Sequence, residues 1–125
     1  MHKSRLSTFV IDCQGDNLDA AAQFWSAALG REAKLQPDND PGYRELRSSP
    51  DEALVLLQSV AHESRIHLDI ETDDLDAEVA RLEQLGATRV AFVKRWWVMQ
   101  APTGQRFCVV KPQRGPLGDD ANQWP

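Results

Sequence analysis

The sequence predicts an α+β fold made of two tandem βαβββ units, and three observations carry that expectation. Ile11, Asp12, Asp16, Leu18, Asp19 and Ala20 read I-D-x-x-x-D-x-L-D-A; Leu68, Asp69, Asp73, Leu75, Asp76 and Ala77 repeat the pattern 57 residues later without a gap. The copies then stay in register to within one residue, as far as Leu29-Gly30 and Leu85-Gly86. Each copy joins a β-rich run to a helical run, followed by short strand candidates parted by turn residues. A functional site is therefore expected between the copies.

Each element has a local reason. Residues 7–13 alternate and are rich in β-branched and aromatic side chains, the pattern of a strand. Asp16 or Asn17 caps the helix that follows, and Asp19 in its first turn complements the helix dipole. Leu18, Ala21, Ala22, Trp25, Ala28 and Leu29 recur on one helical face, and Gly30 stops the helix. Residues 32–36, 43–47 and 53–60 read as strands, with a Pro/Asp/Gly loop over 37–42. In the second copy, residues 65–72 form a strand and Asp73 or Asp74 caps a helix. Its buried stripe is Leu75, Val79, Leu82 and Leu85, ended by Gly86. Residues 88–93, 95–100 and 105–111 are the closing strands, with a hairpin turn over 101–104. The expected domain is 1–112, with copies at about 5–60 and 64–112. Residues 113–125, rich in Pro and Gly, read as a loose C-terminal tail.

Bulk properties narrow the function. A chain of 125 residues suffices for one core. Its net charge of −5 argues against a nucleic-acid partner, since phosphate binding needs a basic face. The longest apolar run is five residues, Ala53 to Leu57, far short of a membrane span. The N-terminus lacks the apolar stretch of a signal peptide, and two cysteines are too few for a disulfide scaffold. A cytoplasmic protein with free thiols is expected.

Several residues together resemble the vicinal oxygen chelate superfamily (glyoxalase, bleomycin resistance, dioxygenase), and more closely its glyoxalase-like domain subfamily. They are Ile11-Asp12-Cys13, Phe24-Trp25 with Leu29-Gly30, His67-Leu68-Asp69, Asp74 to Val79, Trp96 to Met99, the Pro102-x-Gly104 turn and Phe107 to Val110. The resemblance covers about residues 5–112. It implies an open half-barrel of mixed sheet with the two helices on its convex side. The concave cleft would hold four ligands for a divalent metal and, in many members, lie in a homodimer.

Strand alternation says which side chains face that cleft. Ile66, Leu68 and Ile70 are expected to pack under the helix, so Arg65, His67, Asp69 and Glu71 face the cleft. By the same parity Thr8, Val10 and Asp12 face it from the first strand, while Phe9, Ile11 and Cys13 pack inward; on the last strand it is Arg106, Cys108 and Val110. By the resemblance, the first metal position falls on Thr8 or, by the internal repeat, Val10. The second falls on Leu56 or Gln58, the third on His67 and the fourth on Cys108. One imidazole and one thiol do not make a catalytic shell. No cofactor is expected, with Thr8, Gln58, His67 and Cys108 as remnant positions.

The expected ligand-binding set is Thr8, Asp12, Gln58, His67, Asp69, Trp97, Arg106 and Cys108. His67 has two readings: an acid/base group oriented by a carboxylate, or a structural imidazole bonded to Asp12 or Asp69. Asp12 and Asp69, at repeat-related positions, would bind a basic ligand or pair with Arg106 and Arg65. Trp96 and Trp97 point to opposite sides of their strand, one of them as an aromatic wall. Tyr43, Arg44 and the 37–42 loop read as a lid or as an ordinary solvated loop. The expected function is metal-independent binding of a cationic or amphipathic small molecule in the cleft, as in bleomycin-binding members. The alternative is a lyase, isomerase or dioxygenase-type enzyme using His67 as acid/base. An orphan dimeric module is the third possibility.

Overall fold

A computed structural model describes residues 1–34 and 41–125. Among these residues are two helices and eight strands, with both parallel and antiparallel pairings, as expected for the α+β class. The strands are β1 (His2–Gln14), β2 (Tyr43–Leu46), β3 (Leu54–Val60), β4 (Arg65–Thr72), β5 (Thr88–Val93), β6 (Trp96–Gln100), β7 (Arg106–Val110) and β8 (Asn122–Trp124). Helix α1 spans Leu18–Leu29 and α2 spans Leu75–Gln84. The chain gathers into two compact units, one of Thr8–His67 and one of Met1–Ser7 with Leu68–Pro125.

In the unit of residues 8–67, β1 pairs parallel with β3, which pairs antiparallel with β2. Beyond β2 the described residues add one bridge, Ala33 to Leu46, where a strand over 32–36 is expected; residues 35–40, with most of the 37–42 loop, lie outside the described residues. Asn17 is the cap of α1, its side chain accepting the Ala20 N–H at 3.2 Å. Gly30 closes the helix at φ 66°, a left-handed conformation that costs glycine little. The core of this unit is Leu18, Ala22, Leu46, Val55 and Leu57, with Ile11, Cys13 and Trp25 packed against it.

In the other unit, β4 pairs parallel with β7, β7 antiparallel with β6, and β6 antiparallel with β5. Asp74 caps α2 by accepting the Ala77 N–H at 3.1 Å. The core is Val79, Leu82, Ala87, Met99 and Val109, backed by Ile70, Leu75, Trp97 and Phe107. Gly86 follows the helix at φ +108°, and a Cβ there would meet Pro102 Cγ at 3.0 Å. That close approach explains a glycine at this position.

Three expectations are corrected. Ile66 and Leu68 do not pack under a helix: they are 62% and 41% exposed, and of the three only Ile70 reaches the core. The reason is the footprint of α2, which packs on β5, β6 and β7. Phe9 is likewise 41% exposed, because α1 packs on β2 and β3. Nor is the C-terminal segment loose. Its β8 pairs antiparallel with the start of β1, in the register His2 to Trp124, Lys3 to Gln123 and Ser4 to Asn122. Trp124 Nε1 donates to Ser4 Oγ at 2.8 Å, and the Arg81 guanidinium lies 3.9 Å from its ring centre. Further back, the Gln113 N–H donates to the buried Glu71 carboxylate at 2.8 Å, which also accepts from Arg5.

Candidate functional site

Pairing register sorts the side chains of the 8–67 unit into two faces. Phe9, Ile11 and Cys13 oppose Val55, Leu57 and Ser59; Ile11, Cys13, Val55 and Leu57 belong to the helix-side core. Thr8, Val10 and Asp12 oppose Leu54, Leu56 and Gln58 on the helix-free face. This is the parity expected from alternation, but Thr8, Val10 and Asp12 are themselves buried, not spread on an open surface.

The charged centre of this face is Asp12, only 2% exposed. His67 Nδ1 lies 2.8 Å from Asp12 Oδ2, and Arg65 Nε stands 3.8 Å from the same oxygen. A carboxylate on Nδ1 holds the imidazole with that nitrogen protonated and leaves Nε2 as the acceptor. Asp12 Oδ1 is buried with no hydrogen-bond partner among the described residues. Such an atom carries a desolvation cost that natural cores seldom keep without a use. Beside Asp12 in register, Gln58 donates through Nε2 to the Tyr43 hydroxyl at 2.9 Å. Arg44, expected with Tyr43 to belong to a lid or to an ordinary solvated loop, donates to Asp19 at 3.0 Å on the first turn of α1.

In the 68–125 unit, Asp69 pairs in register with Cys108, and Cys108 with Val98. Alternation therefore places Trp96 and Gln100 on the Cys108 side of β6. Trp97, expected in the ligand-binding set, opposes Val109 and packs in the core beneath α2. The aromatic on the Cys108 side is Trp96, a choice the sequence leaves open because the two tryptophans are adjacent. Arg106 Nε donates to Gln100 Oε1 at 3.1 Å.

The two thiols differ in setting. Burial, and then the Asp12 charge, push the Cys13 thiol above its ordinary pKa. A thiol so shifted is poorly nucleophilic. Cys108 is buried on β7.

On β4 and its partner β7, His67, Asp69 and Cys108 bring one imidazole, one carboxylate and one thiol. The positions that would complete a shell carry Thr8 or Val10, and Leu56 or Gln58, of which Val10 and Leu56 have no donor at all. Gln58 is already engaged with Tyr43. At the four positions that the resemblance names, only His67 and Cys108 offer a strong donor, short of the three protein ligands of a catalytic zinc.

The geometry can be set beside known proteins. Residues 8–110 match the family described as Glyoxalase-like domain. No curated protein matches the chain. Among solved structures, a methylmalonyl-CoA epimerase from Mycobacterium tuberculosis superposes with a TM-score of 0.60 at 23% identity, covering 86% of this chain and 87% of that one. The epimerase of Streptomyces coelicolor, in complex with 2-nitronate-propionyl-CoA, gives 0.56 at 19% identity, over 85% and 96%. An extradiol ring-cleaving dioxygenase from B. fuscum gives 0.56 at 17% identity, over 86% of this chain and 32% of its own. At these identities the likeness is one of fold. No helix among the described residues is long and apolar enough to cross a membrane.

Proposed function

The chain belongs to the glyoxalase-like domain family of the vicinal oxygen chelate superfamily, and on that premise we propose that it binds a small organic molecule without a catalytic metal. The observation that carries this reading is the His67–Asp12 pair, 2.8 Å apart and buried to 13% and 2% side-chain exposure. Removing a carboxylate from water to hold one imidazole costs stability, a cost that fits a ring held in place for a task. Its Nε2, with Gln58 and Tyr43 nearby in register, supplies hydrogen-bond direction, while Thr8 and Val10 supply a packed floor. Asp69 and Cys108 form the repeat-related counterpart on the second unit. A homodimer, common in this superfamily, belongs to the same proposal.

The same contact supports a second reading, an isomerase or lyase. Asp12 fixes the tautomer in which Nε2 accepts a proton, the arrangement of a general base. The fold-level likeness to epimerases is an analogy, since one scaffold hosts many reactions. No step here runs through a metal.

Thermal-shift titration tests both readings, because a ligand that binds only the native state raises the melting temperature by mass action. A hit from a polar small-molecule library that stabilises the wild type and fails to stabilise His67→Ala supports the site. Turnover of that hit, abolished in His67→Ala and reduced in Asp12→Asn, would favour the enzyme. Stabilisation by Zn²⁺, Ni²⁺ or Mn²⁺ that disappears in His67→Ala would overturn the metal-free reading. Sedimentation gives the oligomeric state.

A further inference from the structure

A different feature, on the helix side of the 68–125 unit, is a cavity of about 670 Å³ at the start of α2. We propose that this cavity is a second binding site, for a small amphipathic organic cation such as an arylalkyl ammonium.

Its volume lies in the range of small-molecule sites. Leu75, Phe92, Trp97 and Leu117 give it apolar walls. Phe92 and Trp97 meet edge to face at 5.2 Å and 64°, so two aromatic rings are held at an angle around one space. Phe92 is 53% exposed, so much of this large aromatic side chain faces solvent beside Trp97. Trp97 takes a cation on its ring, with the Arg89 guanidinium 4.9 Å from the centroid, so positive charge is already accommodated beside this aromatic wall.

Charge decides the ligand class. The rim carries Asp73, Asp74 and Asp76 against a single Lys111. Asp73 accepts the Lys3 backbone N–H at 2.8 Å and Asp74 accepts that of Ala77, so both carboxylates are fixed before a ligand arrives. The positive end of the α2 dipole would by itself favour an anion, but an anion entering here would meet three carboxylates. An organic cation satisfies both features at once, with its charge among the carboxylates and its hydrocarbon against the rings. The fourth wall, from the C-terminal segment, is held by Gln113 on Glu71 and by Lys3 Nζ donating to the Gly118 carbonyl at 3.3 Å.

The probe is benzyltrimethylammonium, titrated into ¹⁵N-labelled full-length protein, with benzyl alcohol and phenylacetate as neutral and anionic controls. The expected result is a saturable shift of the Trp97 indole signal, assigned with Trp97→Phe, and of the Phe92 and Asp76 amides. Phe92→Ala and Asp76→Asn replace exposed side chains and leave the fold intact. Each should weaken binding at least about threefold. His67→Ala should leave this binding unchanged, so a failure of the proposed function and a failure of this site can be told apart. The proposal is overturned by no shift at about 10 mM, where a millimolar ligand is saturating. It is equally overturned if benzyl alcohol or phenylacetate binds as well, if neither variant weakens binding, or if the shifts fall on residues remote from the cavity.

Discussion

The two copies of the repeat share a wiring plan and differ in what they bury. Both use a parallel pair between the first and last strand, an antiparallel neighbour, and a helix capped at repeat-equivalent positions, Asn17 and Asp74. On α1 the buried face is apolar, and Ala21 packs on the core. At the equivalent position on α2 stands Glu78, fully buried, bonded to His2 and doubly to Arg81. Where the first copy has the exposed Phe24, the second has that Arg81. Duplication preserved the hydrogen-bond scheme of the sheet, whereas one helix was re-used to clamp the N-terminal strand and the C-terminal segment through a polar network. Backbone pairing constrains a repeat more tightly than side-chain identity does, because many side chains satisfy one pleat.

The largest effect should come from the residue that most separates the copies. Glu78→Ala leaves His2 and Arg81 without their shared carboxylate and should cost about 3–5 kcal/mol in urea unfolding. The acid limb of stability should change with it. Burial raises the Glu78 pKa, but hydrogen bonds from Arg81, His2 and Ser4 outweigh burial and hold the carboxyl below its ordinary value. A depressed folded pKa contributes stability that is complete above the unfolded carboxylate value. That stability is lost as pH falls through the folded one. Glu78→Gln should therefore flatten stability against pH below about 4.5 relative to wild type, measured by denaturation at several pH values.

Next come the two cores, where the copies should behave alike. Leu57→Ala and Met99→Ala each empty a fully buried site and should each cost about 3 kcal/mol. Both should shift one common transition, as expected for a chain of this size; separate transitions would mean that the copies melt independently. The aspartates should then part company: Asp12→Ala, which frees His67 and Arg65, should cost about 2 kcal/mol. Asp69→Ala, at a less buried position, should cost about 1 kcal/mol. The smallest effect belongs to the caps. Asn17→Ala and Asp74→Ala should cost about 1 kcal/mol each. Asp74 should be the larger, since its charge also meets the helix dipole.

Much of this was legible because it is local. The repeat, the caps and the alternation that sends Ile11 and Cys13 toward a helix all follow from neighbours a few residues apart. The misplacements have a common cause in distance along the chain. Whether Ile66 and Leu68 are covered depends on where α2 lies, which no pattern within β4 encodes. Residues 2–4 carry no apolar alternation, because the side chains buried there, His2 and Ser4, are polar. The partners of those residues, Glu78 and Trp124, are far away in sequence. Trp96 and Trp97 are two apolar residues in a row, so parity had nothing to choose between. At the candidate site, His67 and Asp12 stood out by residue type, but their contact across 55 positions is a tertiary fact.

The pairing of β8 with the start of β1 also determines how the molecule bears a mechanical load. The strands are antiparallel and His2 faces Trp124, so Met1 and Pro125 leave the sheet at the same edge. A force pulling those ends apart acts along the hydrogen bonds and breaks them rung by rung, starting at the terminal pair. Only three residue pairs resist before the strand is peeled away. Trp124 would then leave both Ser4 and the face of Arg81 at low tension, as the first event of extension and not the last.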